Sequence, residues 1–197
     1  GRESDGLCQP MTTCFRMSGV DLDLFTEERP KLQEIYKEKQ ANGEITNPRE
    51  NILVFFGVGE DVLHFNSTRV IKLDPTDPFD VSRAEVIARR QVHELVSFLK
   101  EHSKAFDESA LISIAVNIGI RESRKLKGVH ILTADEIINC TQFEDSIALC
   151  NYDIDIHNPS GTGTSHRFFG DGEYYTIPYR SLLPKEYNNL LVAGRCL

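Results

Sequence analysis

Ala84, Ile87, Ala88, Val92, Leu95 and Leu99 recur at helical spacing from Ser82 to about His102. A stripe of that length has to be covered by a second layer, so it commits the chain to a packed fold. Ser82 with Glu85 reads as a capping box that starts the helix. A second helix is predicted over 26–41. There Leu32, Ile35 and Tyr36 share one stripe, Pro30 falls near the first turn, and Asn42-Gly43 stops it.

Short apolar runs supply the layer these stripes need. Strands are predicted at 10–20, with Arg16 its one strong charge, and at 52–56 and 62–65, joined as a hairpin through Gly57-Val58-Gly59-Glu60. A further short strand is predicted at 70–73, before the breaker cluster 74–78. Residues 111–120 form the most hydrophobic run, β-branched and punctuated by glycine, and read as a buried strand. Strands are also expected at 129–132, 151–157, 174–177 and 190–193. Thr133 with Glu136 caps a short helix, and 158–172 reads as a loop. Strands outnumber helices and do not alternate with them. The expectation is therefore an α+β fold, with a mixed, largely antiparallel sheet and two main helices packed on it.

Length and composition set bounds on function. The 197 residues, 40% hydrophobic, suffice for one globular domain over 1–197 and exclude intrinsic disorder. No apolar run is long enough for a membrane span. The net charge of -8 disfavours nucleic acid as a partner. Cys8, Cys14, Cys140, Cys150 and Cys196 show no Cys-x-x-Cys spacing and read as free, mostly buried thiols, which favours a reducing compartment such as the cytoplasm. The chain starts at Gly1 and stops at Leu197 in what reads as mid-motif, so a piece of a longer protein is expected, and an export signal ahead of it is not excluded.

Three segments carry candidate chemistry. In the first, the apolar run ends in Gly119-Ile120-Arg121-Glu122-Ser123-Arg124, with two arginines at the spacing of a helical turn. Their guanidinium forks suit an anionic substrate, unless Glu122 simply pairs with one of them. In the second, Asp153, Asp155 and His157 share one face of a period-2 strand, while Tyr152, Ile154 and Ile156 share the other. Such a face can do acid/base work or bind metal; it can equally be a solvated face. No fourth ligand can be named, so no metal site is assigned. In the third, Pro178 interrupts a strand so that Tyr179 and Arg180 can turn out of the sheet, while Tyr174 and Tyr175 read as core.

Two glycine-rich stretches, 57–59 and 161–163, lack the third glycine and the following helix of a dinucleotide cradle. There is no Gly-Lys-Ser/Thr phosphate loop and no nucleophile elbow.

Taken in order, Gly119–Arg124, Tyr152–His157, Ile177–Leu182 and Asn189–Cys196 resemble the middle and late part of the FAD-dependent oxidoreductase family found in many bacteria. That family is related to the two-dinucleotide-fold flavoproteins that include fumarate reductase. Gln9–Val20 and Ser82–Glu85 are similar to the same family. The resemblance implies a substrate-side domain without its Rossmann-type FAD domain, inactive alone, with FAD bound only in the full-length protein. It implies a small-molecule substrate held by Arg121, Arg124 and Arg180, and proton transfer by His157 and Tyr179. Gly194 and Arg195 would belong to the flavin-binding turn, with 190–197 opening that segment. The remainder of its own chain would be the partner, and the apolar end is expected to self-associate. Two other readings stay open on sequence alone: a polysaccharide-lyase-like carbohydrate-active protein and a non-catalytic interaction module.

Overall fold

The computed structural model describes residues 6–196. Leu197, expected to close the flavin-turn segment, and Gly1, read as an abrupt start, lie outside the described residues. The architecture is α+β. The chain divides into two compact units. One, here the helical unit, comprises Leu7–Arg121 with Asn158–Gly163; the other, the ribbon unit, contains Glu122–His157 and the chain from Thr164 onward.

The helical unit holds the large core. Strands β1 (Phe15–Ser18), β2 (Val54–Gly59), β3 (Val62–Phe65) and β4 (Ala110–Ile114) form one antiparallel sheet in the order β2-β3-β1-β4. Period-2 alternation turns Phe15, Met17, Leu63 and Phe65 inward and leaves Arg16 outside. Helices α1 (Leu22–Ala41) and α2 (Pro78–His102) cover that face with Phe25, Leu32, Tyr36, Val92, Leu95, Phe98 and Leu99. Phe15 and Phe65 pair across β1 and β3 with rings stacked at 4.5 Å, and Phe106 closes on Phe25 edge to face at 5.5 Å. A second cluster, Met11, Val70, Ala84, Ala88 and Ile118, takes the early face of α2. The predicted stripe on α2 is thus buried almost entirely.

Several local expectations need correction. Helix α2 starts one turn before Ser82, because Asp77 caps it and Pro78 opens its first turn. Ser82 donates its hydroxyl to the Pro78 carbonyl, and Glu85 accepts the Ile118 N–H at 2.6 Å instead of closing a capping box. Helix α1 starts at Leu22 behind the Asp21 cap, so Pro30 lies inside it and not in its first turn. The hairpin turn falls on Glu60 and Asp61, with Gly57 at φ +84° inside β2, where the register shifts. The run 111–120 is not a buried strand. Only its start belongs to β4, an edge strand, and Ile112 is 53% and Val116 86% exposed. Over 70–73 only Val70 pairs, in a single bridge to Met11.

The ribbon unit has two separate two-stranded ribbons. In one, β5 (Ser146–Cys150) pairs with β8 (Tyr175–Pro178); in the other, β6 (Ile154–His157) pairs with β7 (Thr164–Arg167). The predicted loop 158–172 therefore contains a strand. Residues 129–132 form no strand, only the isolated bridge of Gly128 with Pro184. The predicted strand 190–193 is also absent, and Leu190 and Leu191 are about half exposed. Helix α3 (Ala134–Ile138) carries the predicted capping box of Thr133 and Glu136. Those hydrogen bonds, led by the Thr133 backbone, hold the Glu136 carboxyl below its ordinary value. No helix among the described residues is long and apolar enough to cross a membrane.

Candidate functional site

In the ribbon unit, the antiparallel register of β6 and β7 sets Asp155 opposite His166 and His157 opposite Thr164. His157 is buried, with its Nδ1 3.0 Å from Thr164 Oγ1. Its Nε2 lies 3.6 Å from Asp155 Oδ1, and His166 Nδ1 lies 3.8 Å from the same oxygen. Asp153 accepts the Phe169 N–H at 3.1 Å. The face with Asp153, Asp155 and His157 is thus the covered one, while Tyr152 and Ile156 are 71% and 45% exposed. A solvated polar face, the alternative left open by the alternation, does not describe this strand. The Asp155 carboxylate thus lies within ion-pair range of both imidazoles, without a hydrogen bond between its Oδ1 and either. Among the described residues, no group of three or more His, Cys, Asp or Glu side chains could hold a metal ion.

Also in the ribbon unit, β8 ends at Pro178 and the chain turns into a 3-10 helix, Tyr179–Leu182. Asp145 organises this turn. Its carbonyl accepts the Tyr179 N–H at 2.7 Å, its carboxylate accepts the Arg180 N–H at 3.2 Å, and the same carboxylate pairs with the Arg180 guanidinium. The guanidinium also lies 5.0 Å from the centre of the Phe143 ring. Arg180 is therefore fixed in direction, with its charge already countered, and Tyr179 is 43% exposed beside it. Tyr175 is buried as expected and Tyr174 half-buried. Burial, then the neighbouring Cys150, pushes the Tyr175 phenol up, so it stays protonated.

Arg124, in the same unit, is exposed, and residues 119–124 form no helix, so the helical-turn spacing of the two arginines does not apply. Glu122 is buried and lies 3.8 Å from Lys125, an ion pair the alternatives for Glu122 did not include. Gly194 has φ +102° in an exposed turn, with Arg195 exposed next to it.

Arg121 belongs to the helical unit. It is half-buried and donates to Thr12 Oγ1 at 3.0 Å. Burial pushes the nearby Cys14 thiol up, against the opposing charge of Arg121, so Cys14 is not an activated thiolate. All five cysteines are free; Cys8 is buried and the other four are half-buried.

No motif in the sequence singles out Arg69, the largest fully buried side chain among the described residues. Its guanidinium donates to the carbonyls of Gly161 and Gly163 at 3.2 and 3.1 Å and pairs with Glu50 at 3.2 Å. Its backbone N–H and carbonyl both bond the Gln91 amide of α2. Burial raises the Glu50 carboxyl, but its own backbone N–H, Arg69, Arg49 and the Gly163 N–H together bring it below its ordinary value. An isolated arginine next to a sequon-like Asn-Ser-Thr carries no pattern. Only the fold reveals it as the clamp of the 158–163 loop.

Neither glycine-rich stretch and neither long helix start fits the pyrophosphate of a dinucleotide. Gly57 and Gly59 lie in a hairpin followed by a strand. The carbonyls of Gly161 and Gly163 are turned to Arg69, and that loop leads into β7. The two long helices begin at the carboxylates of Asp21 and Asp77, where a phosphate would meet like charge.

A search of curated proteins and a search of solved structures return no match. The family model described as FAD dependent oxidoreductase matches residues 1–197, the whole of the sequence. With the order of its arginine, Asp-x-His and Pro-Tyr-Arg segments, that match places the chain in the FAD dependent oxidoreductase family, to which it belongs.

Proposed function

We propose that residues 1–197 form the substrate-side domain of a bacterial flavin-dependent oxidoreductase, with the flavin held by a dinucleotide-binding domain elsewhere in the parent protein. The observation that carries this reading is the family match over all 197 residues of a chain whose two long helices start at carboxylate caps, unsuited to a pyrophosphate. In that parent the flavin supplies the electron transfer. The chain's own residues bind and orient a small polar or anionic substrate. Arg121, Arg124 and Arg180 are the cations assigned to it, Arg121 pre-set by Thr12 in the helical unit and Arg180 by Asp145 in the ribbon unit. His157, oriented by Asp155 and Thr164, and Tyr179, exposed beside Arg180, hold or move the proton. Gly194 and Arg195 are assigned to the flavin-binding turn.

The absorption spectrum of the parent protein tests this. Flavin bands are expected, and in Arg121→Ala and His157→Gln variants those bands should persist while turnover falls. A colourless parent protein overturns the reading.

A further inference from the structure

Lys125, Lys127 and Lys185 stand round a single cavity in a chain whose net charge is -8. Two segments of the ribbon unit make its walls. The Lys185 N–H donates to the Lys127 carbonyl at 3.0 Å, the Val129 N–H donates to the Leu183 carbonyl at 2.8 Å, and Gly128 bridges Pro184 antiparallel. A Cβ on Gly128 would sit 2.8 Å from the His130 carbonyl oxygen of its own segment and 3.2 Å from that of Ser181, so the backbone beside the cavity leaves no room for a side chain at 128.

With Gly128 opposite Pro184, Lys127 stands next to Lys185, whose N–H it accepts, and Lys125 and Tyr187 line the same cavity. All four line the cavity of about 310 Å³, with Leu126, Pro184 and Glu186 completing it. Like charges directly opposite on paired segments are unfavourable. Lys125 has Glu122 at 3.8 Å, but no acidic side chain among the described residues pairs with Lys127 or Lys185. Their opposition is left to an outside anion to relieve. Ammonium groups act as rotatable point charges, which is how lysine binds phosphoryl oxygens. Tyr187, 58% exposed, adds a flat apolar surface at the edge.

We propose that this cavity binds a small phosphoryl-bearing molecule, with Lys127 and Lys185 closing on the phosphoryl oxygens and Lys125 and Tyr187 holding the rest. None of its lining residues is among the arginine, histidine and tyrosine residues assigned to the substrate, and it stands whether or not that assignment holds.

Pyrophosphate titrated into the isotope-labelled full chain at constant ionic strength tests it. The amide signals of Lys127, Gly128, Lys185 and Tyr187 should move together and saturate, and Lys127→Gln/Lys185→Gln should weaken binding at least about tenfold, the loss expected from removing one charge-assisted contact or more. In anion-free buffer Lys127→Gln should raise the Tm, because it relieves the like-charge pair. Pyrophosphate should raise the Tm of the unsubstituted chain but not that of the double variant. Signals that stay still, shifts reproduced by matched chloride, or equal binding by the double variant would overturn the site. Citrate binding as tightly as pyrophosphate would overturn the phosphoryl assignment.

Discussion

Phe65→Ala is expected to destabilise the helical unit by about 3–5 kcal/mol, the range for deleting a fully buried phenyl ring. Phe65 is 0% exposed. It stacks on Phe15 at 4.5 Å and reaches Phe106 at 6.3 Å, so the deletion breaks an aromatic chain at its centre. It also empties the register position that pairs β3 with both neighbouring strands. The surrounding side chains come from α1, α2 and three strands, which cannot all move in to fill the void. Urea unfolding followed by circular dichroism reads the effect as a lower midpoint at unchanged slope. Phe79→Ala is the matched control. That ring is 78% exposed, and its loss should change stability by no more than about 0.5 kcal/mol. Equal losses in the two variants would mean that the core has been placed on the wrong residues.

Arg69→Met is the second large effect. The substitution keeps the apolar stem and removes the donors, leaving the Gly161 and Gly163 carbonyls and the Glu50 carboxylate without the guanidinium. Removing one partner of a buried ion pair costs about 3–5 kcal/mol. The lower end applies here, because the Glu50 side chain is 32% exposed and partly screened. Hydrogen exchange should localise the change, with the 158–163 amides exchanging faster while those of α1 keep their relative protection.

Acid dependence gives an independent readout. The Glu50 carboxyl is held below its ordinary value, so its contribution is present above the usual glutamate range and is lost as pH falls through its lowered folded value. Arg69→Met should therefore flatten the acid limb of the stability profile. An unchanged limb would show that Arg69 does not set the Glu50 ionisation.

How much of this was legible beforehand depended on range. The stripe of α2, the Thr133–Glu136 box and the Asn42-Gly43 stop follow from neighbours within four residues, and all three are present. The start of α2 was misplaced because Ser82 and Glu85 fit the local pattern, while Glu85 is used by Ile118, a partner 33 residues away. Strand β5 has no turn signals around it and little burial, so Ser146–Cys150 left no periodic trace. The run 111–120 misled for the opposite reason. Its hydrophobicity suggests burial, but β4 pairs with β1 alone and leaves Ile112 outward.

At the candidate site, the alternation of Asp153, Asp155 and His157 was readable, but which side of the strand is covered was not. Only the cross-strand placement of Thr164 and His166 shows that Asp155 faces two imidazoles. Likewise, Tyr179 and Arg180 could be singled out from Pro178, but Asp145, which fixes both, lies 35 residues from Arg180 and carries no motif.

We propose that this chain supplies the substrate side of a flavoprotein and not its flavin cradle. FAD titrated into the chain, followed by flavin fluorescence, tests it most directly. No saturable quenching is expected up to flavin concentrations well above that of the chain. Tight, stoichiometric binding would contradict the account and place the cofactor site within residues 1–197.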